Sequence, residues 1–247
     1  IKIVCEIQLM CGILFYLNKD NVYFSNDKLL NNLKYLDKRG PDYTNTISFN
    51  KNNLNYFFGH TRLSIIDTSS NGHQPMKIDN NILIYNGEIY NHLEIRKKLI
   101  KNYDIKFIGN SDTETLYQAL KCYGIEEVLK MISGMFSFCY YDKFKNELFI
   151  VRDRAGEKPL YIYFGDDIFG VSSDLITFKK IDPRISSINK DSINDYLNYG
   201  YIPNPNTIYK NCFKLPPGSL LNINLDNYKF KKIYDFNNIK NFSNFKF

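Results

Sequence analysis

The sequence predicts a strand-rich α+β chain, and three observations carry that reading. Short apolar runs of strand length recur from residue 11 onward. Stretches near residues 27–36, 93–100 and 112–123 repeat apolar residues at helical spacing. From Met135 four short extended segments follow one another, separated by Lys, Asn, Gly and Asp.

Each element has its own signal. Residues 11–17, Cys-Gly-Ile-Leu-Phe-Tyr-Leu, read as a buried strand that ends in a turn at Asn18 to Asn21. Asp27 is placed to cap a helix carrying Leu29, Leu30, Leu33 and Leu36, which Arg39-Gly40-Pro41-Asp42 would stop. Residues 54–66 look extended. Residues 82–85 form a strand, followed by Asn86-Gly87 and a helix with Leu93, Arg96, Leu99 and Ile100 on one side. Ser111-Asp112-Thr113-Glu114 has capping-box spacing ahead of Leu116, Leu120 and Tyr123, and Gly124 suits the helix end. Residues 135–141, 148–152, 160–164 and 168–172 then read as an antiparallel meander. A short helix near residues 191–197, a Pro-rich passage at 202–205 and a late strand at 219–223 follow. Beyond Asp226 the composition narrows to Asn, Lys, Phe and Ile, the texture of a terminus without its own core.

Composition excludes several classes. The chain has 247 residues, 44% hydrophobic and 23% charged, near the globular average, and no run approaches the roughly 18 apolar residues of a membrane span. Its five cysteines (Cys5, Cys11, Cys122, Cys139, Cys212) are odd in number, with no Cys-x-x-Cys pair. His60, His73 and His92 show no ligand spacing, so neither a disulfide framework nor a metal site is expected. A reducing, cytoplasmic setting fits that usage. The net charge of +6 comes from scattered lysines, so nucleic-acid and membrane partners are not expected.

Taken singly, the polar features have plain structural explanations. Cys11 in an apolar strand is ordinarily an inert thiol, Asn86-Gly87 is a hairpin turn signal, Asp112 complements a helix dipole and Arg62 is a strand-edge charge. Their joint order is what points further. Met10-Cys11-Gly12-Ile13, Arg39-Gly40-Pro41-Asp42, the run from Gly59 to Asp67, Gly72-His73-Gln74-Pro75, Tyr85 to Asn91 and Ser111 to Glu114 stand in one sequence. They continue into Gly134-Met135-Phe136, Arg152-Asp153-Arg154, Gly156 to Tyr161 and Leu215-Pro216-Pro217-Gly218. Over roughly residues 10–223 this string resembles the glutaminase domain of glutamine-hydrolysing asparagine synthetases, which are class II glutamine amidotransferases.

The resemblance implies an N-terminal-nucleophile hydrolase fold, a four-layer sandwich of two antiparallel sheets between helical layers. It implies hydrolysis of L-glutamine to glutamate and ammonia through a thioester on Cys11, with Asn86 and Gly87 donating to the oxyanion. Arg62 would hold the substrate α-carboxylate, the main chain around Ile65 and Ile66 would line the pocket, and Asp112, assisted by Glu88, would meet the α-ammonium. Arg39 to Asp42 would shape the loop beside the nucleophile.

No cofactor is implied for this chain; ATP and magnesium would serve a synthetase domain that uses the ammonia to convert aspartate to asparagine. That domain's Ser-Gly-Gly-Leu-Asp-Ser-Ser run does not occur here. Ala155 and Asp174 depart from the family pattern, which has a larger aliphatic residue and Glu there.

The base for Cys11 would be its own α-amine, so the residues before it matter. The expectation is that residues 1–10 are an upstream extension or leader and that translation from Met10 with Met removal frees Cys11. Residues 11–223 would then form the amidotransferase domain and 224–247 a biased tail leading toward the synthetase domain. The alternatives are a catalytically silent interaction or regulatory domain of the same fold and a class II amidotransferase serving another acceptor. A homodimer is left open.

Overall fold

The structure, a computed structural model, describes residues 10–19, 25–185, 187–226 and 229–235. Residues 1–9 of the proposed 1–10 leader and 236–247 of the tail lie outside them. In chain order, the first half runs β1 (Gly12–Lys19), α1 (Asn26–Leu33), β2 (Tyr43–Lys51), β3 (Leu54–Arg62), β4 (Met76–Ile78), β5 (Asn81–Ile89), α2 (His92–Tyr103), α3 (Asp112–Tyr123) and α4 (Ile125–Met131). The second half runs β6 (Gly134–Asp142), β7 (Glu147–Arg152), β8 (Tyr161–Phe164), β9 (Ile168–Ser172), α5 (Leu175–Ile181), α6 (Lys190–Tyr199), β10 (Cys212–Lys214), β11 (Ser219–Asn224) and β12 (Lys229–Asp235).

The strands form two six-stranded antiparallel sheets, ordered β10-β8-β9-β1-β3-β2 and β12-β11-β7-β6-β5-β4. Because strand side chains alternate between faces, each sheet buries both. Ile13, Phe15 and Phe58 of the first sheet meet Ile84, Cys139 and Ile150 of the second in the central core. The outer face of the second sheet, with Leu83, Tyr85 and Phe138, packs on Ile95, Leu99, Leu116, Leu120 and Val128 of α2, α3 and α4. Leu14 and Tyr16 on the outer face of the first sheet pack on Leu29, Leu33 and Phe178 of α1 and α5. The result is the α+β sandwich of two antiparallel sheets between helical layers that the resemblance implied.

Several local expectations are corrected. Ser25, not Asp27, caps α1, its hydroxyl accepting from Lys28 N–H; Asp27 lies in the first turn. The extended stretch from Leu54 stops at Arg62, so Ile65 and Ile66 sit in a loop with 71% and 37% of their surface exposed. Asn86-Gly87 is no turn: β5 runs through both, with Asn86 opposite Ser137 and Gly87 opposite Phe136 on β6. A Cβ at Gly87 would fall 2.2 Å from the Met135 carbonyl oxygen, so the glycine serves close strand approach. On α2 the buried residues are Ile95 and Leu99, while Leu93 and Ile100 face out. The expected meander is divided, β6 and β7 joining the second sheet and β8 and β9 the first. The sequence reading also missed α4 and α5. Past residue 223 the chain does not lapse into a bare terminus, because β12 pairs with β11 and extends the second sheet.

Candidate active site

One end of the sandwich holds a cavity of about 170 Å³. Its walls include Cys11, Arg62, Ile65, Ile66, Asn86, Gly87, Glu88 and Asp112, so all the side chains and main chain singled out from the sequence converge there. Met10, Gln74, Tyr85 and Lys158 line it too.

Cys11 stands immediately before β1, half-buried. Its sulfur lies 3.4 Å from Leu63 N–H and 3.6 Å from the Leu63 carbonyl oxygen, just past the end of β3. Burial pushes the thiol above its usual value, opposed by the Leu63 N–H and the Arg62 charge, with Asp112 adding to the rise. Gly12 is required by packing, since a Cβ there would lie 2.5 Å from Thr61 Oγ1. The Arg39 to Asp42 loop holds the backbone before the strand: Met10 N–H donates to the Arg39 carbonyl at 2.9 Å, and Arg39 Nε donates to the Cys11 carbonyl at 3.3 Å.

Arg62 ends β3 and is 5% exposed. Its Nη1 donates to the Ser69 carbonyl at 2.7 Å and its Nη2 to the Asp67 carbonyl, so the loop after β3 fixes the guanidinium plane against the pocket. Asp67 folds that loop by accepting from Ser69 N–H at 2.9 Å and Asn110 N–H at 2.8 Å; hydrogen bonds, the Ser69 hydroxyl first, hold its carboxyl below the usual range.

Asn86 is 1% exposed, and its side-chain nitrogen, Nδ2, has no hydrogen-bond partner among the described residues. An unsatisfied buried donor costs about 1–3 kcal/mol, and such groups persist where something else satisfies them. By strand alternation Asn86 shares its face of β5 with Ile84, toward the first sheet, while Tyr85 faces the helices.

Asp112 opens α3 and is 5% exposed. Its Oδ2 accepts from the Tyr85 hydroxyl at 2.6 Å and from Ile89 N–H at 3.0 Å. Burial, and then the Asp112 charge, push the Tyr85 phenol well above its usual range, so it stays a donor. The preceding Ser111 caps the helix by accepting from Glu114 N–H at 3.2 Å. The Glu114 carboxylate does not close the reciprocal half of the capping box; it accepts from Ile108 N–H and Gly109 N–H, each at 2.8 Å, and ties down the loop before α3. Arg96 adds bonds to the Gly109 and Ser111 carbonyls at 2.6 and 2.9 Å.

Lys158 stood within a quoted motif, but the sequence reading gave it no place in the site. It is 6% exposed, its Nζ lies 3.0 Å from Met10 Sδ, and burial draws its ammonium below the usual value. The signal was the Arg152-Asp153-Arg154 motif. The buried Asp153 accepts from Ala155, Glu157 and Lys158 N–H at 2.9–3.1 Å, winding residues 153–158 into a turn. Arg152 closes the turn through the Gly156 and Lys158 carbonyls.

Of the histidines, His60 is fully buried and its Nε2 lies 3.0 Å from the Tyr85 carbonyl oxygen; desolvation lowers it to about 3, so it is neutral and donates. His73 stacks on Tyr43 at 3.6 Å. Among the described residues no group of three His, Cys, Asp or Glu side chains is arranged to hold a metal ion, and no helix is long and apolar enough to cross a membrane.

The chain is 35% identical to a putative glutamine-hydrolysing asparagine synthetase of Methanocaldococcus jannaschii over 91% of its own length and 46% of that protein's. It is 33% identical to asparagine synthetase 1 of Bacillus subtilis over 88% of its own length and 34% of that protein's. It thus spans about a third to a half of the relatives it matches. Its fold superposes on the glutamine phosphoribosylpyrophosphate amidotransferase of B. subtilis with a TM-score of 0.67 at 20% identity, covering 93% of this chain and 50% of that one. The family described as "Glutamine amidotransferase domain" matches residues 10–234, and the chain belongs to that family.

Proposed function

We propose that this domain hydrolyses L-glutamine to glutamate and ammonia through Cys11. The observation that carries the reading is the unpartnered, buried Asn86 amide in the cavity that Cys11 also lines. Cys11 Sγ attacks the side-chain amide carbon, its proton passing to the residue's own α-amine. The oxygen that becomes negative takes hydrogen bonds from Asn86 Nδ2 and Gly87 N–H, and one such donor is typically worth about 2.7–4 kcal/mol. The α-amine then delivers the proton to the departing nitrogen, ammonia leaves, and water hydrolyses the thioester. With reference values of about 8.5 for a thiol and about 7.7–8.0 for an α-amine, the first transfer is close to balanced.

Recognition is divided between the two ends of the substrate's amino-acid group. Arg62, anchored by the Asp67 and Ser69 carbonyls, meets the α-carboxylate, with main chain near Ile65 and Ile66 beside it. Asp112 meets the α-ammonium, with Glu88 adjacent. The mechanism requires a free nitrogen on Cys11, so residues 1–10 are absent from the active form. The relatives are named glutamine-hydrolysing asparagine synthetases, and in this reading the ammonia acceptor is aspartate activated with ATP and magnesium on a further synthetase domain. Among the described residues no His, Cys, Asp or Glu group is arranged to hold a metal ion, and no step above runs through ATP or magnesium.

Ammonia release from L-glutamine by a chain beginning at Cys11, abolished by Cys11→Ala with an unchanged melting temperature, tests the reading. Full activity in Cys11→Ala would overturn it. A silent domain is the second reading, favoured by the Met10–Arg39 and Met10–Lys158 contacts, which seat Met10 in the cavity beside the nucleophile.

A further inference from the structure

We infer that Tyr85 sets the selectivity of the pocket for an α-amino group by holding Asp112 in place, an inference that rests on the glutamine-binding reading. A first-turn aspartate of a helix ordinarily points into water, where the dipole favours it. Here Asp112 is drawn inward across the gap to β5, where the Tyr85 hydroxyl and Ile89 N–H both donate to Oδ2. No donor among the described residues reaches Oδ1, and Asp112 lines the cavity. One oxygen is therefore occupied by the scaffold and the other is left for a ligand cation.

Ile89 N–H alone would leave the carboxylate free to rotate about its Cβ–Cγ bond; the second donor fixes its plane. Tyr85 can do this because it is itself immobilised. Its N–H donates to Gln74 Oε1 at 2.6 Å, its carbonyl accepts from His60 Nε2, and its ring is 2% exposed among the helix-facing core. Gln74 is in turn 3.4 Å from Thr113 Oγ1, beside Asp112. The residue directly after Tyr85 is Asn86, so one segment of β5 orients the ammonium site on one face and the oxyanion donor on the other.

The test is calorimetric binding of L-glutamine and of 4-carbamoylbutanoate, the same molecule without its α-amino group, to a chain beginning at residue 11 with Cys11→Ala. Adding Tyr85→Phe should weaken L-glutamine binding about tenfold and leave 4-carbamoylbutanoate binding unchanged. In an Asp112→Asn background, Tyr85→Phe should move neither affinity further. Equal weakening of both ligands, unchanged L-glutamine binding, or a further loss in the Asp112→Asn background would overturn the inference. Failure of the parent to bind L-glutamine would overturn it together with the recognition reading. Failure of the Cys11 chain to release ammonia, with selective binding intact, would sink the catalytic proposal alone.

Discussion

Gly72 and Arg62 share a space that only one of them can fill. A Cβ on Gly72 would lie 2.3 Å from Arg62 Nη2, the nitrogen that donates to the Asp67 carbonyl. The loop after β3 closes on the guanidinium because residue 72 has no side chain. Gly72→Ala should therefore push the guanidinium out of its plane. The expected result is a rise of roughly tenfold or more in the KM for glutamine with kcat less affected, since displacements of about 1 Å in positioning groups cost up to about 100-fold. Steady-state kinetics of ammonia release checks this, and an unchanged KM would argue against Arg62 as the carboxylate clamp.

Asn86→Ala removes the one buried side-chain donor in the pocket that lacks a partner among the described residues. Its expected effect is a fall in kcat of about 100- to 1,000-fold with little change in melting temperature, because no protein hydrogen bond of Nδ2 is lost. A stability loss without a kinetic one would mark Asn86 as structural.

His60 makes stability depend on acidity. Its folded value of about 3 lies below the unfolded value of about 6.5. Between those limits the unfolded chain binds more protons, so its contribution is present above pH 6.5 and is lost as pH falls toward 3. The slope is at most about 1.4 kcal/mol per pH unit. Denaturant unfolding across this range should give a shallower acid limb for His60→Gln, whose amide retains a donor for the Tyr85 carbonyl. Identical limbs would show that His60 is protonated or exposed in the folded protein.

Asp153 holds the turn that carries Lys158 into the pocket. Asp153→Ala strands four backbone donors, those of Phe136, Ala155, Glu157 and Lys158, and should destabilise the fold by about 3 kcal/mol or more, measured by denaturant midpoint. A loss below about 1 kcal/mol would mean the turn folds without it.

The parts of this architecture that the sequence disclosed were those with local causes. β1 and β9 are continuous apolar runs because both their faces are covered, and α3 announces itself through Ser111 and Gly124. What it concealed depends on distant neighbours. Asn86-Gly87 carries the local signature of a turn, yet the approach of Met135 and Phe136 makes that glycine a strand residue. Leu93 and Ile100 match the helical period as well as Ile95 and Leu99 do, and only the second sheet decides which pair is buried. Strands β7 and β8 follow closely in sequence but enter different sheets, because residues 153–158 turn around Asp153. The role of Lys158 was not legible for the same reason: its place in the pocket comes from that turn. The candidate site residues themselves were found through the order of their motifs, which periodicity does not supply.

The most direct test of the account is the mass of the N-terminal peptide in protein that is turning over glutamine. The account predicts that active molecules begin at Cys11 and that molecules retaining Met10 release no ammonia. Turnover by a chain in which Met10 is still joined to Cys11 would contradict it.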